Sequence, residues 1–180
     1  AGKFKDGETV TAGTDNYFTL YMSSKTKIDA SSKTWEDGYK SEQRVNFGGK
    51  ADLENMKNLM AFKTEGTAKV KIWWVEAGDD NREVVIYNTS GQEVAKTDAK
   101  AAKNAAVYSE LELTEAGTYY LGGDISNNYF FRVKVVDTVG GSDTPVVRKD
   151  WADVAAPVIG TITQSKADID VPFDMVIGND

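Results

Sequence analysis

The chain has 180 residues and a net charge of −7, with 41% hydrophobic residues and neither cysteine nor histidine. This supports one full domain with a packed core plus part of another. It excludes disulfide frameworks, thiolate nucleophiles, Ser-His-Asp and Cys-His catalysis, and most zinc or transition-metal sites. The acidic balance argues against a nucleic-acid partner, and no apolar run nears the roughly 18 residues that a membrane span needs.

In chain order, strand patterns are expected at residues 17–22, 59–64, 68–75, 83–88, 93–97, 108–113, 118–121 and 129–136. Turn chemistry separates them: Thr64-Glu65-Gly66, Ala77-Gly78-Asp79-Asp80, Asn88-Thr89-Ser90-Gly91 and Glu115-Ala116-Gly117. Short strands with turn signals about every ten residues describe an all-β protein, an antiparallel β-sandwich of jelly-roll or Ig-like type with a short β tail. Two segments read as helical turns, 52–58 with Asp52 as N-cap and the Ala/Lys-rich 98–105. No repeat of 20–50 residues is present, which argues against a β-helix or propeller.

All three prolines, Pro145, Pro157 and Pro172, fall late in the chain, and Val139-Gly140-Gly141-Ser142-Asp143-Thr144-Pro145 has linker composition. The expected division is a sandwich domain over 1–137, a linker over 138–154 and a partial module over 155–180, with strands at 156–162 and 168–176. From Thr138 onward seven Asp stand against three bases, a net −4, which leaves −3 for the first 137 residues. A local basic patch can therefore dominate one surface of the main domain.

The stretch Ala68-Lys69-Val70-Lys71-Ile72-Trp73-Trp74-Val75 carries the most information. As a strand it sends Val70, Ile72 and Trp74 to a core face and Lys69, Lys71 and Trp73 to the other. Over 129–136, alternation puts Tyr129, Phe131, Val133 and Val135 on one side and Phe130, Arg132 and Lys134 on the other. If both strands share a sheet, Lys69, Lys71, Trp73, Arg132 and Lys134 form a basic-aromatic face. Lys and Arg meet sugar carboxylates with charge-assisted hydrogen bonds, and indole or phenol rings cover apolar sugar faces. The same alternation also describes a solvated face whose cations pair with neighbouring acids.

Arg82 closes a turn rich in acids, Glu76, Asp79 and Asp80. It reads as a ligand-facing guanidinium or as the partner of an Asp that fixes the turn. Asp79 and Asp80 are candidate ligands for a structural calcium, although the spacing is not that of an EF-hand; no other cofactor is expected. Arg44 and Lys50 flank Val45-Asn46-Phe47-Gly48-Gly49, where paired glycines permit close backbone approach. Both cations are candidates for the basic face or for anchoring a loop, and Trp35, Tyr39 and Tyr129 are candidate stacking rings.

Several phrases carry a resemblance when taken in order. They are Lys27-Ile28-Asp29-Ala30, Asp37-Gly38-Tyr39, Arg44 with Gly48-Gly49, Val70 to Val75 with Gly78-Asp79-Asp80-Asn81-Arg82, and Ala116-Gly117-Thr118-Tyr119-Tyr120-Leu121-Gly122 leading into Phe130 to Val136. Over about residues 16–137 the set resembles the non-catalytic β-sandwich modules of bacterial pectate lyases, specifically carbohydrate-binding module family 77. The tail resembles the first strands of a fibronectin type III-like module. The resemblance implies calcium-independent recognition of weakly esterified homogalacturonan (pectin, polygalacturonate) by a few lysines. It further implies an extracellular, secreted or surface-attached protein, with catalysis supplied by covalently linked modules of the parent chain. Lys71, Lys50, Arg44 and Arg82 stand inside the matching phrases; Lys69, Trp73, Arg132 and Tyr129 complete the candidate site. Asn128 and Tyr129 depart from the Gly-rich sequence at this place in related modules.

Three functions are therefore carried forward. A pectin-binding module accounts for the basic-aromatic faces. A structural or adhesive spacer of a large cell-surface protein accounts for the fold but not for the clustered cations. A polysaccharide lyase using a Lys or Arg base ranks last, since no β-helix periodicity supports it.

Overall fold

A computed structural model describes residues 4–98, 103–138 and 146–150. Its strands are β1 (Thr9–Ala12), β2 (Phe18–Tyr21), β3 (Lys27–Thr34), β4 (Lys40–Asn46), β5 (Leu59–Thr64), β6 (Thr67–Glu76), β7 (Val84–Asn88), β8 (Glu93–Lys96), β9 (Ala106–Leu113), β10 (Gly117–Gly123), β11 (Asn128–Thr138) and β12 (Val146–Asp150). One antiparallel sheet has the order β1-β2-β5-β10-β7-β8, and the second has the order β3-β4-β11-β6-β9, with β12 alongside β11. The two sheets form the expected all-β sandwich.

Period-2 alternation builds the layer between them. Phe18, Leu20, Met60, Phe62, Ile86 and Leu121 of the first sheet meet Val45, Val70, Ile72, Trp74, Leu111, Phe130, Val133 and Val135 of the second. The inward assignment of Val70, Ile72 and Trp74 holds. Trp74, wholly buried, satisfies its indole N–H on Ser109 Oγ at 3.0 Å.

Strict alternation fails in β11. Phe130 pairs with Trp74 and Arg132 with the adjacent Trp73, so Phe131 is an extra residue, a β-bulge. The bulge flips parity. Phe130, Val133 and Val135 face the core, while Tyr129, Phe131, Arg132 and Lys134 lie on the outer side of the second sheet. Simple alternation groups Tyr129, Phe131, Val133 and Val135 against Phe130, Arg132 and Lys134, and the structure differs because a one-residue insertion exchanges the faces beyond it.

Two further corrections concern local structure. Residues 52–58 form a turn, not a helical segment: Asp52 and Lys57 exchange backbone hydrogen bonds at 3.0 Å in both directions, and Met56 and Asn58 adopt left-handed φ of 46° and 59°. β1, β3 and β4 join the expected strands. Of the second helical expectation, 99–102 lie outside the described residues, as do both strands expected in the tail. Inside the span read as linker, β12 runs antiparallel to β11, with Lys134 opposite Asp150 and Asp137 opposite Val146. It occupies the same edge of β11 that β4 uses only at Tyr129 and Phe130.

Candidate functional site

The outer face of the second sheet is laid out by the register of β9, β6 and β11. Three cross-strand rows run Tyr108–Trp73–Arg132, Glu110–Lys71–Lys134 and Glu112–Lys69–Val136. Lys69, Lys71 and Trp73 share one face, as the alternation of β6 requires, and the pairing of β11 with β6 brings Arg132 and Lys134 onto it. The acids of β9 share it too. Lys71 Nζ lies 3.1 Å from Glu110 Oε1 and Lys69 Nζ lies 3.7 Å from Glu112 Oε1. The Tyr108 hydroxyl also donates to Glu110 Oε1. That hydrogen bond, then Lys71, holds the Glu110 carboxyl below the usual range; burial, then Glu110, pushes the Tyr108 phenol upward.

The aromatic part of the face is covered. The tip of the β3–β4 hairpin, residues 35–39, folds across the outside of the sheet and makes a second apolar cluster of Trp35, Trp73, Val75 and Phe131, with Tyr39 and Tyr129 against it. Trp35 Nε1 donates to the Val107 carbonyl of β9 at 2.9 Å, Trp73 Nε1 donates to Asp37 Oδ2 at 2.7 Å, and the Tyr39 hydroxyl donates to the Phe131 carbonyl at 3.3 Å. Because β3 is the far edge strand, reaching β9 carries the hairpin over β11 and β6. Trp73 is left only 5% exposed, so its indole offers no open platform for a sugar ring. Trp73 instead supports Arg132, whose guanidinium carbon sits 4.9 Å from its ring and 5.0 Å from that of Tyr39.

Arg44 and Tyr129 extend the face toward β4 and β3. The Arg44 guanidinium carbon lies 4.0 Å above the Tyr129 ring, and Arg44 Nε and Nη2 bind the Asp29 carboxylate at 2.7 and 3.2 Å. Hydrogen bonding to Asp29 raises the Arg44 pKa further.

Arg82 and Lys50 do not join this face. Arg82 Nε binds Asp80 at 2.6 Å and Nη1 donates to the Asn127 carbonyl and side chain at 2.9 and 3.0 Å. It thereby ties the β6–β7 loop to the β10–β11 loop, and its hydrogen bond lowers the Asp80 pKa. Asp79 is bound by Lys103 at 3.1 Å. Both candidate calcium ligands thus have basic partners, and among the described residues no three carboxylates are gathered for a metal. Exposed Lys50 precedes Ala51, whose N–H bonds the Gly123 carbonyl at the end of β10 in the first sheet.

Sequence reasoning overlooked the partners. Tyr108-x-Glu110-x-Glu112 is the antiparallel complement of Lys69-x-Lys71-x-Trp73, residue for residue, and the two patterns together carry the pairing signal. Tyr108, at 40% exposure, is also the open aromatic ring at the edge of the face. No protein-family model and no curated protein matches this chain.

Proposed function

We propose that the chain is a non-catalytic β-sandwich module that binds an acidic polysaccharide, homogalacturonan-type pectin in the first instance, through the outer face of the second sheet. One observation carries the reading: Lys71 lies directly opposite Lys134 across the β6–β11 ladder, with Lys69 two positions along on the same side. A polymer bearing repeated carboxylates would meet Lys69, Lys71 and Lys134 together, exchanging with Glu112 and Glu110 for the first two. Tyr108 would supply the ring surface that Trp73, beneath the hairpin, does not. Arg132 and the Arg44–Tyr129 pair flank the lysines and extend the cationic track. The extracellular setting and covalent linkage to a polysaccharide lyase belong to this proposal through the family resemblance.

A second reading, a structural or adhesive spacer, is favoured by the ion pairs Lys71–Glu110, Lys69–Glu112 and Arg44–Asp29, which account for three cations without a ligand. Affinity electrophoresis against polygalacturonate, highly esterified pectin, alginate and a neutral glucan separates the two. The binding reading expects retardation by polygalacturonate and none by the glucan. No retardation by any polyanion supports the spacer, and unsaturated sugars released in the same samples would identify a lyase.

A further inference from the structure

At the end of the sandwich where β6 gives way to its loop, two fully buried side chains stand at paired positions of adjacent strands, each with an oxygen that has no hydrogen-bond partner. Glu76, the last residue of β6, is 1% exposed, and its cross-strand partner Asn128, the first of β11, is wholly buried. Glu76 follows Trp74 in the alternation, and Asn128 precedes Phe130, so both point between the sheets. Glu76 Oε1 accepts the Arg82 backbone N–H at 3.0 Å, and Asn128 Nδ2 donates to the Glu83 carbonyl at 3.0 Å. Glu76 Oε2 and Asn128 Oδ1 are left without a hydrogen bond. Both are acceptors, so neither can satisfy the other while Glu76 is a carboxylate.

We infer that Glu76 and Asn128 form a buried site for a hard, oxygen-seeking divalent cation of the calcium class. A buried carboxylate needs a compensating charge, and no basic side chain among the described residues pairs with Glu76. Arg82, whose backbone N–H reaches Glu76, directs its guanidinium to Asp80 and Asn127. A bridging water would satisfy the lone pairs but leave the charge unanswered. The surrounding charge has the same sign: Glu76, Asp79, Asp80, Glu83 and Asp124 stand at this end against Arg82, Lys96 and Lys103. A carboxylate and an amide oxygen are ligands of the hard type that calcium takes in flexible numbers, its shell completed by water or main-chain carbonyls. The site is distinct from the Asp79 and Asp80 carboxylates, which their basic partners already engage, and it is independent of any polysaccharide on the outer face.

The test uses the full chain. Thermal unfolding is followed in chelator and in millimolar CaCl2, and Tb3+ emission is read under tryptophan excitation, since buried Trp74 lies two residues from Glu76. The site predicts a midpoint about 5 °C or more higher in calcium. It also predicts sensitised Tb3+ emission that calcium displaces, retained in D79N/D80N and lost in E76Q. Equal midpoints with and without calcium together with no sensitised emission would overturn it, leaving a water or a proton to bridge the two oxygens. Emission lost in D79N/D80N would overturn it as well. Should E76Q fail to fold, the wild-type calcium dependence and the D79N/D80N variant decide the matter.

Discussion

Lys71 and Lys134 face each other across the β6–β11 ladder, and Glu110 closes on Lys71 from the opposite strand at 3.1 Å. By register the row runs Glu110–Lys71–Lys134–Asp150, two lysines side by side with an acidic residue at each flanking position. This arrangement contributes little to folding, because exposed ion pairs are worth about 0–1 kcal/mol.

Replacing Lys71 with alanine accordingly leaves stability within about 0.5 kcal/mol of wild type, since Glu110 keeps its hydrogen bond from Tyr108. Polygalacturonate binding weakens in the same variant. Denaturant titration and affinity electrophoresis on one preparation check both halves. A large stability loss would make Lys71 a structural residue.

Trp35→Ala removes the ring that anchors the hairpin tip over the sheet, together with the hydrogen bond to Val107. Large-to-small changes of buried tryptophan typically cost about 3–5 kcal/mol, and the lower end applies here because the hairpin can lift away. Trp73 then gains solvent, so its fluorescence should shift to the red before global unfolding. Asp37→Ala, which leaves the Trp73 indole N–H unpaired, should cost about 1–2 kcal/mol.

Gly48 sits at φ 81°, and a Cβ there would fall 2.5 Å from Lys25 Cβ and 2.7 Å from the Lys25 carbonyl oxygen. Both the left-handed backbone and the contact penalise a side chain, so Gly48→Ala should cost about 2 kcal/mol or more. Gly38→Ala, at φ 87° with no atom within 4 Å of the added carbon, carries the backbone penalty alone and should cost less.

Acid stability follows from the carboxyls held below their ordinary values: Asp6 by the Ser24 backbone N–H, Asp52 by Asn55, Asp80 by Arg82 and Glu110 by Tyr108. A depressed folded pKa gives stability that is complete above the unfolded value and disappears as pH falls through the folded one. The chain should thus lose stability progressively below about pH 5. Glu110→Gln should destabilise slightly at pH 7, by less than about 1 kcal/mol given its exposure, and the gap from wild type should be narrower at pH 3. Urea midpoints at the two pH values measure this.

The sandwich core was legible because β5, β6 and β10 are apolar segments bounded by turn residues, and Val70, Ile72 and Trp74 report their inward face directly. β3 and β4 escaped notice because β3 is an edge strand, with Lys27-Ile28-Asp29-Ala30-Ser31-Ser32-Lys33-Thr34 polar on both sides and no position fully buried. The parity of β11 was hidden because nothing in Tyr129-Phe130-Phe131-Arg132 marks which residue is the bulge. The coexistence of cations on one face was readable from spacing. Their acids were not, because pairing Lys71 with Glu110 requires knowing that β6 and β9 are neighbours. Trp73 looked like an open platform for the same reason: its cover comes from a hairpin tip some 36 residues earlier in the chain.

The most direct measurement is the affinity of polygalacturonate for wild type and for the K69A/K71A/K134A variant, each titrated at low and high salt. Binding through the outer cationic face predicts a wild-type affinity that falls as salt rises, because exposed charges are screened over about 8–10 Å at physiological ionic strength. It also predicts loss of most of that affinity in a variant whose unfolding midpoint stays close to wild type. Equal affinity in the folded variant, or wild-type binding indifferent to salt, would contradict it.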